Sequence, residues 1–226
     1  AAWQQWWPFG GRSAPPTAKK DRILVADFEG PPGDSTLAPA ARSLLSAALD
    51  QSQIVATVPQ DQILLALKAA GKPASTRVDA QLARELAYRG SVRTVLEGTI
   101  GRLGKGYTIV LSVVDADTPR VILTKSGTAK NEDALIPALG ELAKQLRKGL
   151  GENRQALGAT RSMALVATPS FEAYRLYVQG YLIYLRQVSN RDALRFDRAA
   201  LAWAPSAART SAAAAGGTQV SAIASA

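Results

Sequence analysis

The stretch Ser91–Lys130 constrains the fold of this chain more than any other part of the sequence. It contains three runs of apolar and β-branched residues, separated by two turn sequences, Gly104–Lys105–Gly106 and Asp117–Thr118–Pro119. Runs of this composition between such turns predict a three-stranded antiparallel meander. A meander alone would leave its apolar face in water, so helices from elsewhere in the chain must pack against it.

Alternation along the middle strand predicts how its two faces differ, because successive side chains point to opposite sides of a sheet. One face is apolar and carries Tyr107, Ile109, Leu111 and Val113. The other face is mixed and carries Thr108, Val110, Ser112 and Val114. We expect the apolar face to meet the helices.

The residues before the meander predict a βαβ unit, with strands at Arg22–Phe28 and Gln53–Thr57 on either side of a helix at Leu37–Gln51. Two more helices lead into the meander and a leucine-striped helix follows it, at Pro59–Gly71, Val78–Arg89 and Asn131–Leu150. Arg147 and Lys148 near the end of the last helix complement its dipole. The predicted fold class is α/β, with a five-stranded mixed sheet covered by helices.

The chain contains no histidine and no cysteine. Histidine is the commonest general base and the commonest metal ligand, and its absence excludes Ser-His-Asp and Cys-His mechanisms. The absence of cysteine excludes disulfides and thiolate metal sites. We expect no catalytic residue, no cofactor and no bound metal ion.

The net charge of the chain is +9. Such a charge suits a polyanionic partner, but the basic residues are dispersed and form no run of five or more. Because a clustered basic footprint is missing, we expect no nucleic-acid partner and keep nucleic-acid binding only as an alternative.

Residues 1–21 form an aromatic and Pro-Gly-rich extension that contains Trp3, Trp6, Trp7 and Phe9. Tryptophan favours the interface between membrane and water, so these residues predict proximity to a membrane surface. The sequence itself contains no apolar segment of about 18 residues that could span a bilayer and no secretory signal pattern. We expect a membrane span and a catalytic or regulatory domain to precede this extension in the full protein.

The loop Glu29–Thr36 follows a strand and precedes a helix, a position where phosphate groups bind in other proteins. It lacks the lysine of a phosphate-binding loop, and its two prolines remove backbone donors, so a structural crossover is the better interpretation. Asp27, Glu29 and Asp34 offer oxygen ligands for a hard cation, but their spacing matches no known loop. Solvated loop carboxylates explain them better.

Asp115 and Asp117 lie at a strand end, where paired carboxylates could serve a hydrolase, but a turn rich in aspartate explains them as well. Glu97 lies among apolar strand residues and needs a partner if it is buried, for which Arg93 or Arg102 is available. In the alternative interpretation, Glu97 and Arg93 contact a ligand or a protein partner.

Three short motifs carry a resemblance to the Tol-type N-terminal-like α/β domain: Ala83–Leu86 (AREL), Val95–Gly98 (VLEG) and Asp115–Thr118 (DADT). Residues 22–150 resemble this domain as it occurs beyond the membrane span of bacterial receptor-type serine/threonine kinases, adenylate-cyclase-like proteins and winged-helix regulators. Pro119 departs from the pattern, because glycine is usual there. The resemblance implies a non-catalytic binding or sensory role.

Residues 170–205 predict a hairpin of two helices, Ser170–Gln187 and Asn190–Trp203, which resembles one degenerate tetratricopeptide repeat. The residues that fit its helix packing are Gly180, Ala193, Ala200, Pro205, Tyr177 and Tyr181. The predicted domain organisation is an extension (1–21), an α/β domain (22–153), a linker (154–169), the repeat (170–205) and a disordered Ala/Ser/Gly tail (206–226).

The sequence thus predicts a sensory or protein-interaction region of a bacterial signalling protein, on the extracytoplasmic face of a membrane, with unidentified protein partners. One alternative is a small-ligand sensor with a pocket between the meander and the Leu37–Gln51 helix. A deep apolar pocket with convergent polar groups would favour it.

Overall fold

The computed structural model describes residues 20–163 and 170–185. One sheet of order β2-β1-β3-β4-β5 contains β1 (Asp21–Val25), β2 (Val55–Thr57), β3 (Thr94–Leu103), β4 (Gly106–Asp115) and β5 (Val121–Ala129). β1 pairs in parallel with β2 and β3, whereas β3, β4 and β5 form the antiparallel meander. The predicted α/β class with a five-stranded mixed sheet is confirmed.

Six helices are described: α1 (Leu37–Leu49), α2 (Gln60–Ala69), α3 (Ala80–Arg89), α4 (Leu135–Gly149), α5 (Arg154–Gly158) and α6 (Phe171–Leu185). Asp34 accepts a hydrogen bond from the Leu37 N–H at the start of α1, and Asp79 accepts one from the Leu82 N–H at the start of α3. α4 begins at Leu135, so Pro137 lies in its first turn, where a missing N–H costs little. The short helix α5 lies in the predicted linker and was not anticipated.

The larger core lies between one face of the sheet and helices α1, α4 and α6. The apolar face of the middle strand belongs to this core, as its alternation predicts: Tyr107, Ile109, Leu111 and Val113 are all buried. A smaller core on the opposite face joins α2 and α3 to Leu24, Ala26 and Val95. The sheet therefore has helices on both faces, but the two layers differ in extent.

Gly98 on β3 gives Phe28 room in the larger core. A Cβ atom at position 98 would lie 2.6 Å from the nearest atoms of the Phe28 ring. Real Cβ atoms do not approach ring carbons so closely, because repulsion is steep at that distance. This packing explains why a glycine ends the Val95–Gly98 motif.

We expect Gly98→Ala to lower the free energy of unfolding by about 1–3 kcal/mol, because the Phe28 ring must move out of its packed position. Gly101→Ala on the same strand is the matched control, since a Cβ there meets nothing within 4 Å. Urea denaturation followed by circular dichroism measures both variants. Equal effects of the two substitutions would contradict the packing explanation.

A fully buried ion pair joins the end of α4 to the loop between α1 and β2. Arg147 and Glu152 have side chains that are 0% exposed, and the Arg147 Nε lies 2.5 Å from the Glu152 Oε2. The carboxylate also accepts hydrogen bonds from the Ser52 hydroxyl at 2.9 Å and from the Gln53 N–H at 2.7 Å. Among the described residues, the Arg147 Nη1 has no hydrogen-bond partner.

The pKa of Glu152 reflects this environment. Burial acts to raise the pKa, but hydrogen bonds from Arg147, Gln53 and Ser52, together with the charge of Arg147, outweigh it and hold the pKa below its ordinary value. A carboxyl group with a lowered pKa in the folded protein stabilises the fold at neutral pH. That contribution is present above the unfolded pKa and is lost as the pH falls through the lower, folded pKa.

We expect Glu152→Gln to lower the free energy of unfolding by about 3–5 kcal/mol, because it leaves the Arg147 guanidinium buried without its counter-charge. The loss should be largest near pH 7 and should shrink in acid, where Glu152 is protonated in the parent protein too. Denaturation series at several pH values measure this. Glu141→Gln on the exposed side of the same helix is the control and should change stability by less than about 0.5 kcal/mol.

Candidate interaction surface

Helices α2 and α3 cover the second face of the sheet over β1 and the start of β3, and no helix among the described residues covers most of β4 and β5 on that side. The bare part is built from three cross-strand pairs, Thr108 with Thr128, Val110 with Ser126, and Ser112 with Thr124. We call these six residues the open face. Val110 is 39% exposed, although it is a β-branched residue in the middle of a central strand.

Two more apolar side chains extend the open face at one end. Val121 is 56% exposed and Ile122 is 45% exposed, at the irregular start of β5 where the register shifts beside Val113 and Val114. The hydroxyls of Ser112 and Thr124 lie 3.1 Å apart and hydrogen-bond across the strands. The surface is thus part of a sheet face, mixed in polarity and rich in hydroxyl groups, which suits a protein partner better than a small molecule.

The structure pairs Glu97 with a residue that the sequence did not indicate. The Arg84 Nη1 on α3 donates to the Glu97 Oε1 at 2.6 Å, and both side chains are partly exposed. The expectation that Arg93 or Arg102 serves Glu97 is therefore wrong: α3 lies over this part of β3, whereas Arg102 lies over the Tyr107 ring. The pair links the Ala83–Leu86 motif to the Val95–Gly98 motif, and contact of Glu97 and Arg93 with a ligand or partner stays a prediction.

The acidic loop residues have structural partners. Asp115 accepts hydrogen bonds from the N–H groups of Asp117 and Thr118 and from the Thr118 hydroxyl, as an aspartate-rich turn requires. The backbone bond from Thr118 leads the effects that lower the pKa of Asp115. Asp27 accepts from the Val78 N–H at 2.8 Å and pairs with Arg42. Within residues 20–163 and 170–185, no three acidic side chains are grouped as a metal site would need.

A groove of about 640 Å³ lies at the carboxyl end of β1, where α1, α2 and α6 meet. Between the meander and α1, where the small-ligand alternative expects a pocket, the structure has buried side chains of the larger core. Arg42, the arginine deepest in the groove wall, donates to the carbonyl oxygens of Val25 and Ala26 and to the Gln60 side chain, so its guanidinium is used by the fold. Small-ligand binding stays a prediction.

Helix α6, the first helix of the predicted repeat, packs on the α/β domain through buried Phe171, Tyr174 and Val178. The Tyr174 hydroxyl hydrogen-bonds to Ser43 of α1 at 3.1 Å, and burial raises the pKa of Tyr174 to about 12. Of the residues predicted to pack the repeat, Gly180 is buried, and the rings of Tyr177 and Tyr181 stack with centroids 6.3 Å apart.

Several predictions concern residues outside the described ranges. These are the packing positions Ala193, Ala200 and Pro205 and the membrane-proximal Trp3, Trp6 and Trp7. The repeat and the division of the chain into five segments therefore stay predictions.

Arg175 links α6 to two loops of the domain through ion pairs. It donates to Asp34 at 2.9 Å and to Glu132 at 2.9 Å, and Glu132 also accepts from the Tyr107 hydroxyl. Burial acts to raise the pKa of Asp34, but hydrogen bonds from Thr36 and Leu37 and the charge of Arg175 lower it overall. This network closes the contact between α6, the β1–α1 loop and the start of α4.

We expect Arg175→Ala to speed amide hydrogen exchange along α6 by about tenfold, because a partly buried cation that bridges two carboxylates is lost. Glu172→Ala on the exposed side of the same helix is the matched control and should leave the exchange rates nearly unchanged. Hydrogen exchange followed by mass spectrometry measures both variants. Unchanged exchange in Arg175→Ala would show that the buried apolar contacts alone hold α6.

No protein-family model matches the sequence, and no curated protein matches it either. Similar solved structures are bacterial. The C-terminal domain of LpoB from Salmonella enterica is 17% identical over 49% of this chain and 83% of that chain, with a TM-score of 0.45. Lipoprotein GNA1162 from Neisseria meningitidis is 18% identical over 47% of this chain and 78% of its own, with a TM-score of 0.39.

TolB from Acinetobacter baumannii is 12% identical over 59% of this chain and 29% of its own, with a TM-score of 0.39. These likenesses concern the arrangement of strands and helices alone. Among the described helices, none has the length and apolar character needed to cross a bilayer.

Proposed function

We propose that this chain is a non-catalytic protein-interaction domain that binds its partner through the open face. The uncovered half of the sheet carries the proposal. No described helix covers this part of β4 and β5, and its exposed apolar side chains Val110, Val121 and Ile122 form a surface that a partner can bury.

The hydrogen bonding of the candidate carboxylates supports a binding role better than a catalytic one. Three of the carboxylates that the sequence offered as candidate metal ligands or hydrolase groups cap a helix, close a turn or pair with an arginine: Asp27, Asp34 and Asp115. A catalytic carboxylate needs access to a substrate and a pKa matched to its task. Asp34, Asp115 and Glu152 instead have lowered pKa values, which follow from hydrogen bonds that hold the fold together.

The biological setting belongs to the same proposal. The Tol-type resemblance and the tryptophans of the extension favour an extracytoplasmic position close to a bacterial membrane. Attachment to a receptor-type kinase or a membrane-anchored regulator is the setting that the sequence resemblance favours. The protein would then bring a partner to the membrane surface without acting on it chemically.

Site-specific photo-crosslinking in the host cells tests the open face directly. We expect a photoreactive amino acid at Val110 to give a crosslinked species of defined mass. The same amino acid at Leu65, an apolar position on α2 that is more exposed than Val110, is the control and should give none. Both positions are exposed, so neither replacement disturbs the core. Equal crosslinking at both positions, or none at Val110 in folded protein, would overturn the proposal.

A further inference from the structure

The outer edge of β5 is a long backbone edge without a neighbouring strand among the described residues. β5 spans nine residues at one end of the sheet, whereas β2 at the other end spans three. In an antiparallel ladder, every second residue of an edge strand directs its N–H and C=O groups away from its neighbour. Such an edge is a template for another strand.

β5 has few of the features with which proteins protect an edge against a second copy of the same strand. It contains no proline, and its one charged residue is Lys125, on the side of the sheet that α4 covers, whose charge disfavours a like strand and favours an acidic one. The irregular register is confined to the start of the strand, so Leu123–Ala129 pairs regularly with β4. The outer edge of this segment is therefore extended and open to pairing.

Charge indicates what kind of strand fits there. Arg120 and Lys130 flank β5, Lys125 lies in its middle, and no acidic residue occurs from Pro119 to Lys130. None of the three forms an ion pair within the described residues. The three cations are spaced about 17 Å apart along the strand, given the rise of an extended chain.

The same charges disfavour a second copy of this chain as the occupant. If two β5 strands paired antiparallel about Lys125, Lys125 would oppose its own copy and each Arg120 would oppose a Lys130. Like charges opposite each other destabilise a strand pair. Nucleic acid fits less well, because it has no peptide groups to pair with the strand edge.

We propose that β5 accepts an extended, acidic segment of a protein partner as a sixth strand of the sheet. Main-chain hydrogen bonds to the outer edge of Leu123–Ala129 would hold the segment, and its acidic side chains would lie near Arg120, Lys125 and Lys130. The proposal rests on the proposed function, since alternate side chains of the added strand extend the open face beside Thr124, Ser126 and Thr128.

The probe is a fluorescent nine-residue peptide that alternates glutamate with valine, and a second peptide replaces each glutamate with lysine. We expect the acidic peptide to bind the full chain and the basic peptide to show no binding. The double variant Arg120→Glu with Lys130→Glu should weaken acidic-peptide binding by about tenfold or more. Arg154→Glu with Arg161→Glu makes the same charge change at exposed positions away from β5 and should change affinity less than about twofold.

A second readout establishes that the peptide pairs as a strand. Bound acidic peptide should slow amide hydrogen exchange at alternate residues of Leu123–Ala129, which nuclear magnetic resonance resolves residue by residue. No binding, equal weakening in the two double variants, or unprotected β5 amides would overturn the inference. Competition by an oligonucleotide of equal charge, with the same protection pattern, would also overturn it, as would protection by self-association without peptide.

The outcomes separate the two proposals. Crosslinking at Val110 together with unprotected β5 amides would leave the open face as an interaction surface and reject strand addition. Absence of crosslinking at Val110 together with β5 protection would reject the open face as the principal contact while retaining the edge.

Discussion

Arg147 and Glu152 lie where the end of α4 meets the loop between α1 and β2, and the position of α4 depends on their contact. The two residues are five positions apart, so the chain must turn back sharply after the helix. Gly151, at a φ of 100°, makes that turn, and the Glu152 N–H donates to the Arg147 carbonyl. Leaving a buried arginine without its counter-charge costs several kcal/mol of folding free energy. Burial of α4 therefore requires that Glu152 lie beside Arg147.

The position of α4 also determines how the core face of the meander is covered. Leu142 packs against Gly127 of β5 at 3.4 Å from the position a Cβ would occupy, and Leu123 lies only 2.5 Å from that position at Gly149, at the end of α4. These glycines let the helix lie close to the edge strand. Among the described residues, no helix of the opposite layer reaches as far, since α3 contacts β1 and β3 and α2 packs against α3. Within the described residues, β4 and β5 are thus covered by α4 on one face and are mostly without a helix on the other.

Local patterns predicted the elements and the sheet faces well, because alternation in β4 and the apolar stripes of α1 and α4 are properties of short segments. Contacts between distant segments were harder. The sequence alone does not distinguish Arg84 from Arg93 or Arg102 as a partner for Glu97. The choice follows only from the packing of α3 on β3. From the sequence, Arg147 at the end of α4 suits the helix dipole and could equally well be exposed. Its burial depends on the turn at Gly151, which brings Glu152 back to it. The groove at the end of β1 likewise depends on three helices that no local pattern brings together.

The distribution of ion pairs explains why the excess positive charge matters at one place. Several acidic side chains hold arginines of the fold: Glu152 holds Arg147, Glu97 holds Arg84, and Asp34 and Glu132 share Arg175. The cations along β5 form no ion pair within the described residues, and they lie beside an unpaired backbone edge. Long-range attraction from such charges speeds the encounter with an acidic partner and weakens as salt is added. Dispersed charges attract an acidic partner strand but do not set its register. Backbone hydrogen bonds to the edge of β5 would set that register.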